Sequence, residues 1–261
     1  RLVGSEMCIR DRFIPAMEYT YTYDNASVRG KRNPIWWQTT VASAGNLTSA
    51  VYRIFGKPFS EEGKKLFGVP FAQFLKLNSE FRYHYRIDKN QIIASRIAGG
   101  VIWSYGNATT APYTEQFYIG GANSVRAFSA RSIGPGGYPP ETDRKYTYIN
   151  HVGDIRIEAN IEYRFRMIAD LHGAVFLDAG NVWLMRKDEN RPNGEFTLKN
   201  FPKQVALGTG AGLRYDLDFL VFRFDWGVAL HDPYDTGKKG YYNIPKFKDG
   251  MAWHFAIGYP F

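Results

Sequence analysis

The last eleven residues of the chain alternate large apolar side chains with small or polar ones, and they end on an aromatic residue. Successive side chains of a β-strand point to opposite faces, so this segment predicts one strand with two contrasting faces. One face carries Met251, Trp253, Phe255, Ile257, Tyr259 and Phe261, and the other carries Ala252, His254, Ala256 and Gly258. Such a strand is typical of an outer-membrane β-barrel, where the apolar face contacts lipid and the polar face lines the lumen.

The same alternation recurs in nine segments between Phe13 and the end of the chain. The clearest covers residues 154–166, where seven polar residues on one side oppose six apolar residues on the other. Polar side chains in one row need water or one another, which the lumen of a barrel provides. The remaining segments are 17–24, 35–47, 74–87, 91–105, 171–183, 207–215, 219–231 and 251–261.

A soluble β-sandwich also alternates, but its strands are usually shorter and keep the apolar face inside. Here the segments span about ten residues with aromatic residues near their ends, as tilted membrane strands do. Their connections alternate in length: 88–90, 167–170 and 215–218 are short, whereas 107–152, 184–204 and 232–250 are long. Short periplasmic turns and long extracellular loops produce this rhythm, so we predict an all-β fold, an antiparallel transmembrane β-barrel of the Gram-negative outer membrane.

The composition agrees with a barrel. Aromatic residues make up 16% of the chain, and yet the mean hydropathy is negative at -0.36. No window approaches the run of about 18 apolar residues that a membrane-spanning helix needs. The net charge is +8, but the basic residues fall at alternating strand positions and in loops. Without a basic helix or a clustered basic patch, nucleic-acid binding is disfavoured.

Residues 1–12 fit neither a strand nor its flanks, and they include Cys8, the only cysteine. They lack the apolar core and cleavage site of a signal peptide, so we interpret 1–12 as a non-native scar and 13–261 as the C-terminal portion of a barrel domain. Nine strands would leave two unpaired edges in lipid, whereas bacterial barrels have even strand numbers. We therefore expect further strands upstream, in a barrel of about 16 strands.

The longest loop, 107–152, contains the most specific motif, Gly120-Gly121 followed by Val125-Arg126-Ala127-Phe128. This motif resembles the sixth extracellular loop of the outer-membrane-protein assembly family, the BamA and TamA barrels and their two-partner-secretion relatives, whose hallmark is Val-Arg-Gly-Phe. Ala127 replaces the hallmark glycine, which is a mild change if the backbone keeps a negative φ. Further matches follow in the family's order at residues 160–165, 176–183 and 208–215.

The resemblance implies a role for Arg126. In the family this loop folds back into the barrel, and its arginine meets acidic groups on the inner wall. Arg126 would therefore pair with Asp178 and Glu162, and both acids have inward parity in their segments. A guanidinium suits this pairing because it binds a carboxylate through two parallel hydrogen bonds and keeps its charge. The alternative is an ordinary solvated loop charge.

The resemblance also implies a role for the last strand. Its row Trp253, Phe255, Ile257, Tyr259 and Phe261 resembles the signal by which such barrels are recognised for insertion. In the family, a seam between the first and last strands opens and templates an incoming strand by edge pairing. Residues 251–261 would form one side of that seam. The Gly-rich inner face at 208–212, expected on the neighbouring strand, would leave room for the loop or a substrate.

Other classes of site have weaker support. The glycines between 120 and 137 neither follow a buried parallel strand nor open a helix, so they predict tight turns rather than a phosphate cradle. The five histidines show no metal-ligand spacing, and Ser124 and Ser129 lack a nucleophile elbow. Glu158 and Glu162 alternate with arginines, which indicates a charge network rather than acid–base catalysis. We therefore expect no catalytic residue, no metal and no cofactor.

The implied function is to assemble, insert or translocate other proteins at the outer membrane. Its partners would be unfolded or nascent outer-membrane proteins, the lipid bilayer, and assembly lipoproteins or periplasmic domains encoded upstream. A passive porin-like channel shares the alternation but does not need the 125–128 motif together with Asp178. The barrel of a fused patatin-type lipase is another alternative. The sequence leaves essential insertase, TamA-like accessory and secretion pore open.

Overall fold

The computed structural model describes residues 12–26, 32–59, 62–139, 150–217 and 219–261. The predicted scar at 1–12 therefore lies outside the described residues except for Arg12, as does the 140–149 part of the long loop. The described chain forms a nine-stranded antiparallel sheet, which confirms the predicted fold class. In the described residues, no α-helix has the length and apolar character needed to cross a lipid bilayer.

Each strand of the large sheet pairs with the next one along the chain, apart from a small hairpin inserted after the second strand. The strands of the large sheet are β1 (Ala16–Asp24), β2 (Ile35–Ala44), β5 (Phe74–Arg86), β6 (Gln91–Ser104), β7 (Ile155–Ile168), β8 (Leu171–Trp183), β9 (Ala206–Asp216), β10 (Val221–His231) and β11 (Met251–Ile257). The insertion contains helix α1 (Asn46–Ile54) and the hairpin β3 (Lys65–Leu66) and β4 (Val69–Pro70). Two short 3-10 helices cover Phe201–Lys203 and Phe247–Gly250.

The sheet is apolar outside and polar inside, the reverse of a soluble sandwich. In β7, Glu162 is fully buried, whereas the side chain of its neighbour Ile161 is 46% exposed. The same contrast holds in β10, where Asp225 is buried and Phe224 is exposed. Because adjacent residues face opposite sides of a strand, the predicted parity places the charged rows inside. An apolar exposed row is the surface that lipid requires.

The connections differ in length at the two ends of the sheet. At one end the links 87–90, 169–170 and 217–220 are short and the link 25–34 has ten residues, whereas 45–73, 105–154, 184–205 and 232–250 are long links at the other end. Short links are periplasmic and long links extracellular in barrels of this class. At the extracellular end, a buried apolar cluster joins strand ends to the long loop; it includes Phe74, Ile102, Ile119, Val125 and Val182.

The structure corrects the predicted course of the last strand. β11 ends at Ile257, and the amide of Gly258 donates the next sheet bond to the carbonyl of Val221 at 2.8 Å. Gly258 has φ +82°, a left-handed conformation that turns the chain, and Pro260 follows with no amide hydrogen to donate. Phe261 is consequently 6% exposed, so the prediction that it shares the outward lipid-facing row is wrong.

Two smaller predictions also need correction. The second alternating segment was expected to reach Leu47, but β2 ends at Ala44 because Gly45 adopts φ +68° and α1 begins at Asn46. The Gly-rich strand β9 was expected beside the last strand, but β10 lies between β9 and β11. In an antiparallel meander each strand pairs with its neighbours along the chain, so β10 must separate the two.

Candidate functional site

The 120–128 part of the long loop folds back against the inner wall of the sheet. Gly120 and Gly121 have φ +96° and +90°, which turns the chain sharply and favours glycine at both positions. The turn is closed by hydrogen bonds from the amide of Gly121 to the carbonyl of Phe128, at 2.8 Å, and from Phe128 to Val125, at 3.1 Å. Val125 and Arg126 are fully buried and Ala127 is 5% exposed, so the tip of the motif is shielded from solvent.

Arg126 binds the carboxylate of Asp178 through three donors. Its Nε and Nη2 atoms donate to Oδ2 and Oδ1 at 2.8 and 2.9 Å, and its backbone amide donates to Oδ2 at 3.0 Å. Its Nη1 atom donates to Glu162. All three side chains are fully buried. The structure therefore brings together Arg126 from the loop, Glu162 from β7 and Asp178 from β8.

A wider charge network surrounds this pairing, and its outer members were not among the predicted site residues. Arg214 of β9 lies 3.2 Å from Glu162 and 2.6 Å from Asp225 of β10, and Arg223 lies 3.2 Å from Asp225. Arg164 adds a contact of 2.7 Å to Glu162. All of these residues have inward parity in their strands. That parity is the feature of the sequence that predicts their position on the inner face. Buried charges need partners of opposite sign, and this network supplies them.

Asn160 ties the network back to the loop. Its Nδ2 atom donates to Asp178 Oδ1 at 2.9 Å and to the backbone carbonyl of Ser124 at 3.0 Å. The loop is thus bound through its backbone as well as through the Arg126 side chain. A carboxylate that accepts several hydrogen bonds holds its position, so Asp178 presents fixed oxygen atoms to the guanidinium.

Glycines on β9 and β10 allow the loop to pack closely against these strands. A methyl group added at Gly208 would lie 2.3 Å from the Cβ atom of Ala127, and one added at Gly227 would lie 2.4 Å from the carbonyl oxygen of Arg126. Real Cβ atoms do not approach other atoms so closely. Ala127 is not among the described residues with a positive φ, so its backbone accepts an alanine without strain.

The C-terminus reaches the same site. The guanidinium of Arg126 lies over the ring of Phe176 on one side, and the ring of Phe261 lies 5.9 Å from it. Arg164 donates to the carbonyl oxygen of Phe261 at 3.1 Å. The terminal aromatic residue therefore packs inside the sheet beside the loop arginine.

The other residues of the predicted terminal signal lie elsewhere. Trp253, Phe255 and Ile257 are 59%, 69% and 62% exposed on the outward face, and Tyr259 is half-exposed beyond the strand. Trp253 stacks against Trp226 of β10, with ring centroids 5.7 Å apart. The structure thus splits the predicted row into an outward aromatic group and an inward Phe261.

The polar contacts of this site are ion pairs and hydrogen bonds. Within the described part of the chain, no three His, Cys, Asp or Glu side chains are grouped so as to hold a metal ion. The acidic groups of the site already accept hydrogen bonds from arginines, which engages the lone pairs that proton transfer would use. The arrangement places the 120–128 segment against the inner face of the sheet through buried charge pairs.

Comparison with known proteins agrees with this geometry. Residues 65–261 match the Omp85 superfamily domain. The outer membrane protein assembly factor BamA of Nitratidesulfovibrio vulgaris is 28% identical over 204 residues, which cover 76% of this chain and 22% of that protein. The chain thus spans less than a quarter of the length of this curated relative.

Two solved structures share the fold. BamA from Haemophilus ducreyi lacking POTRA domains 1-3 superposes with a TM-score of 0.59 at 16% identity, over 93% of this chain and 42% of that one. CdiB from Escherichia coli gives a TM-score of 0.57 at 14% identity, over 96% of this chain and 37% of that one. The chain belongs to the Omp85 superfamily and is part of a β-barrel of the bacterial outer membrane.

Proposed function

We propose that this barrel takes part in inserting other β-barrel proteins into the outer membrane. Support comes from membership of the Omp85 superfamily and from similarity to a protein named as an assembly factor. The unfolded substrate would be bound rather than chemically changed. The substrate would bind by pairing with the edge of the sheet, because an incoming strand has unpaired amides and carbonyls that lipid cannot hydrogen-bond.

The observation that carries the proposal is the contact of Arg126 with Asp178 and Glu162. A passive channel has no need to bury an arginine of its longest loop against two acids of the inner wall. Removing one partner of a buried pair leaves an uncompensated charge, so the pair holds the loop in one position. We propose that Arg126, Glu162 and Asp178 form a lock that keeps the loop inside the barrel while substrates assemble at the seam.

The second element of the proposal is β11. It is seven residues long and pairs with β10 over its whole length, from Met251 to Ile257. Its opposite edge would face the seam and offer backbone groups to an incoming strand. The outward residues Trp253, Phe255 and Ile257 would meet lipid at the same place. Between insertion, accessory assembly and secretion we favour insertion, because the similar protein is named as an assembly factor.

The test is complementation with the whole protein that carries this barrel. Cells depleted of their own copy receive wild type, Arg126→Ala or Arg131→Ala, and the folded fraction of other outer-membrane barrels is measured by heat-dependent gel mobility. Arg131 is the matched control because it is in the same loop and packs over Tyr118, at 4.1 Å, instead of binding Asp178. We expect barrel assembly to fail with Arg126→Ala and to persist with Arg131→Ala. If depleted cells that receive no copy of the gene still assemble their outer-membrane barrels normally, the insertion function is excluded.

A further inference from the structure

Helix α1 stands at the extracellular end of the sheet, in the connection between β2 and β5. Its inner side is well anchored: Ser49 is fully buried and donates to Gln73 Oε1 at 3.0 Å. Tyr52 stacks on the buried ring of Phe71, with centroids 6.2 Å apart. One side of the helix therefore packs against the protein, and the opposite side is exposed.

The outer side of α1 is an exposed apolar stripe. Leu47, Val51 and Ile54 recur at helical spacing and are 65%, 46% and 82% exposed, and Phe55 directly after the helix is 79% exposed. Residues separated by three, four or seven positions share one face of a helix. Single exposed apolar residues are ordinary, but a contiguous set on an anchored helix marks a contact surface.

The β3–β4 hairpin extends this surface. Phe67 at its tip is 89% exposed and adopts φ +51°, although the neighbouring Gly68 already turns the chain. The hairpin is fixed to the helix by the Tyr52 hydroxyl, which donates to the carbonyl of Lys65 at 2.5 Å. Phe55 and Phe67 thus belong to elements joined by a hydrogen bond, and the exposed ring of Phe67 meets the exposed ring of Phe13 edge-on, with centroids 6.5 Å apart.

The start of α1 is tied to the lipid-facing side of the sheet. Asn46 Nδ2 donates to Ser43 Oγ at 2.8 Å, and Ser43 has the outward parity of β2. Ser43 pairs with Met17 and Leu75, and Leu75 pairs with Trp103. Met17, Leu75 and Trp103 are 59%, 43% and 60% exposed, so they form the upper rim of the surface that faces lipid. Asn46, which also accepts hydrogen bonds from Gln73 and Tyr105, thus joins the start of α1 to the strand whose outward face meets this rim.

The charge around the stripe is mainly positive. Arg53, Lys57 and Lys65 are exposed beside it, and α1 itself contains no acidic residue, although Glu62 is exposed nearby in the loop. Apolar residues on one side and Lys or Arg at the border characterise helices that lie in a membrane interface. The basic border suits a surface of phosphate-bearing lipid headgroups.

We propose that α1 and the tip of the β3–β4 hairpin lie in the outer leaflet of the membrane as an interfacial anchor, with Leu47, Ile54, Phe55 and Phe67 among the acyl chains. The anchor fixes the extracellular end of β2 and β5 against the bilayer. The occupant of the stripe is lipid because α1 starts at the outward face of β2, through the Asn46–Ser43 hydrogen bond, and because the stripe has a basic border.

The experiment uses the whole protein with Cys8 and any cysteine encoded outside this sequence replaced by serine. Single cysteines replace Phe55 or Phe67, and Leu198→Cys is the control, since Leu198 is 83% exposed in the extracellular connection between β8 and β9. Each is labelled with an environment-sensitive dye and reconstituted into vesicles of phosphatidylcholine and phosphatidylglycerol that contain lipids with a nitroxide on the acyl chain. We expect blue-shifted emission and severalfold stronger quenching at 55 and 67 than at 198.

Two results would overturn the proposal. In the first, the labels at 55 and 67 are quenched no more than the label at 198, which would leave the stripe in water. In the second, their blue shift disappears when the protein is diluted into more lipid, which would identify a second copy as the occupant. Retention of the blue shift and quenching on dilution supports lipid contact. Charge removal by Arg53→Gln, Lys57→Gln and Lys65→Gln together is expected to reduce the quenching more in vesicles with phosphatidylglycerol than in pure phosphatidylcholine.

Discussion

His254 Nε2 of β11 lies 2.8 Å from the backbone carbonyl oxygen of Arg126. The ring nitrogen donates to that carbonyl, so the last strand holds the loop at the residue that also binds Asp178 and Glu162. Phe261 packs beside the same arginine. The loop, the inner wall and the terminal strand therefore meet at Arg126.

His254→Ala should loosen the loop without unfolding the sheet. One hydrogen bond is lost, which costs about 1 kcal/mol in the usual case. The measurement is hydrogen exchange in β11 and in the 120–128 segment, both of which should exchange faster. His172→Ala, near the periplasmic start of β8, is the control and should leave both segments unchanged. Equal exchange in wild type and His254→Ala would contradict the contact.

Arg126→Ala should release the loop more completely. Asp178 and Glu162 would each lose a buried charged partner, and breaking a buried pair costs about 3 to 5 kcal/mol. Limited proteolysis of the reconstituted protein should cut the long loop faster than in wild type. Arg126→Lys keeps the charge but loses the two-pronged contact with Asp178, so it should be intermediate. An unchanged cleavage pattern in Arg126→Ala would count against the lock.

Gly208→Ala should displace the loop by steric contact alone. The added methyl meets the Cβ of Ala127 at 2.3 Å, and overpacking of this kind costs about 1 to 3 kcal/mol. Ala127→Gly removes the opposing methyl, so the double variant should regain wild-type protease resistance. Gly99→Ala on β6 is the control because the nearest atom to its added methyl is 3.8 Å away. Failure of Ala127→Gly to rescue would mean that the loop sits elsewhere.

Gly258→Ala should disturb the inward turn of the C-terminus. No atom lies within 4 Å of the added methyl, so the expected cost comes from the left-handed backbone alone, about 1 to 2 kcal/mol. In a Cys8→Ser background, Phe261→Cys reports the change through its rate of maleimide labelling. The buried thiol should react slowly, and adding Gly258→Ala should accelerate it. Gly240→Ala, at φ +105° in an extracellular loop, introduces similar strain elsewhere and should have no effect on the rate.

Asp232 gives the extracellular loop 232–250 a pH dependence. Burial raises the pKa of its carboxyl group, while His231 and the hydrogen bond from Tyr234 act in the opposite direction. Because the folded pKa lies above the unfolded one, the loop gains stability below the unfolded pKa and loses it as the pH rises through the folded value. Asp232→Asn should therefore slow hydrogen exchange in the loop at neutral pH and remove the pH dependence of that exchange. Asp249→Asn, at an exposed position, is the control and should retain the pH dependence.

Much of this fold follows from the sequence because the barrel imposes a period of two residues on every strand. Inward parity alone placed Glu162 and Asp178 on the lumenal side, and the chain order of the segments gave the order of the sheet. The partner choice of Arg126 came from the family motif, since parity does not identify which loop enters the lumen. Arg214 and Asp225 have the same parity signal, but nothing in their local sequence relates them to the loop.

The remaining differences arise where local chemistry ends the alternation. Residues 251–261 keep their pattern through Phe261, yet the left-handed Gly258 and Pro260 stop the strand at Ile257. The alternation of side chains carries no information on the backbone φ of Gly258, so it predicts the wrong face for Phe261. Similarly, only one residue separates α1 from the end of β2, and Leu47 near the start of α1 extends the apparent alternation past the end of the strand.

The outward apolar row has a consequence for the membrane that this barrel fits. In β7 the row runs from Ile155 to Met167, twelve residue steps along the strand. At about 3.3 Å per residue and a tilt of about 40°, it spans a height of about 30 Å. A bilayer with a thicker hydrocarbon core would leave acyl chains against polar side chains at both ends of the strands. The outward row therefore sets the bilayer that the strands match, one with a hydrocarbon core about 30 Å thick.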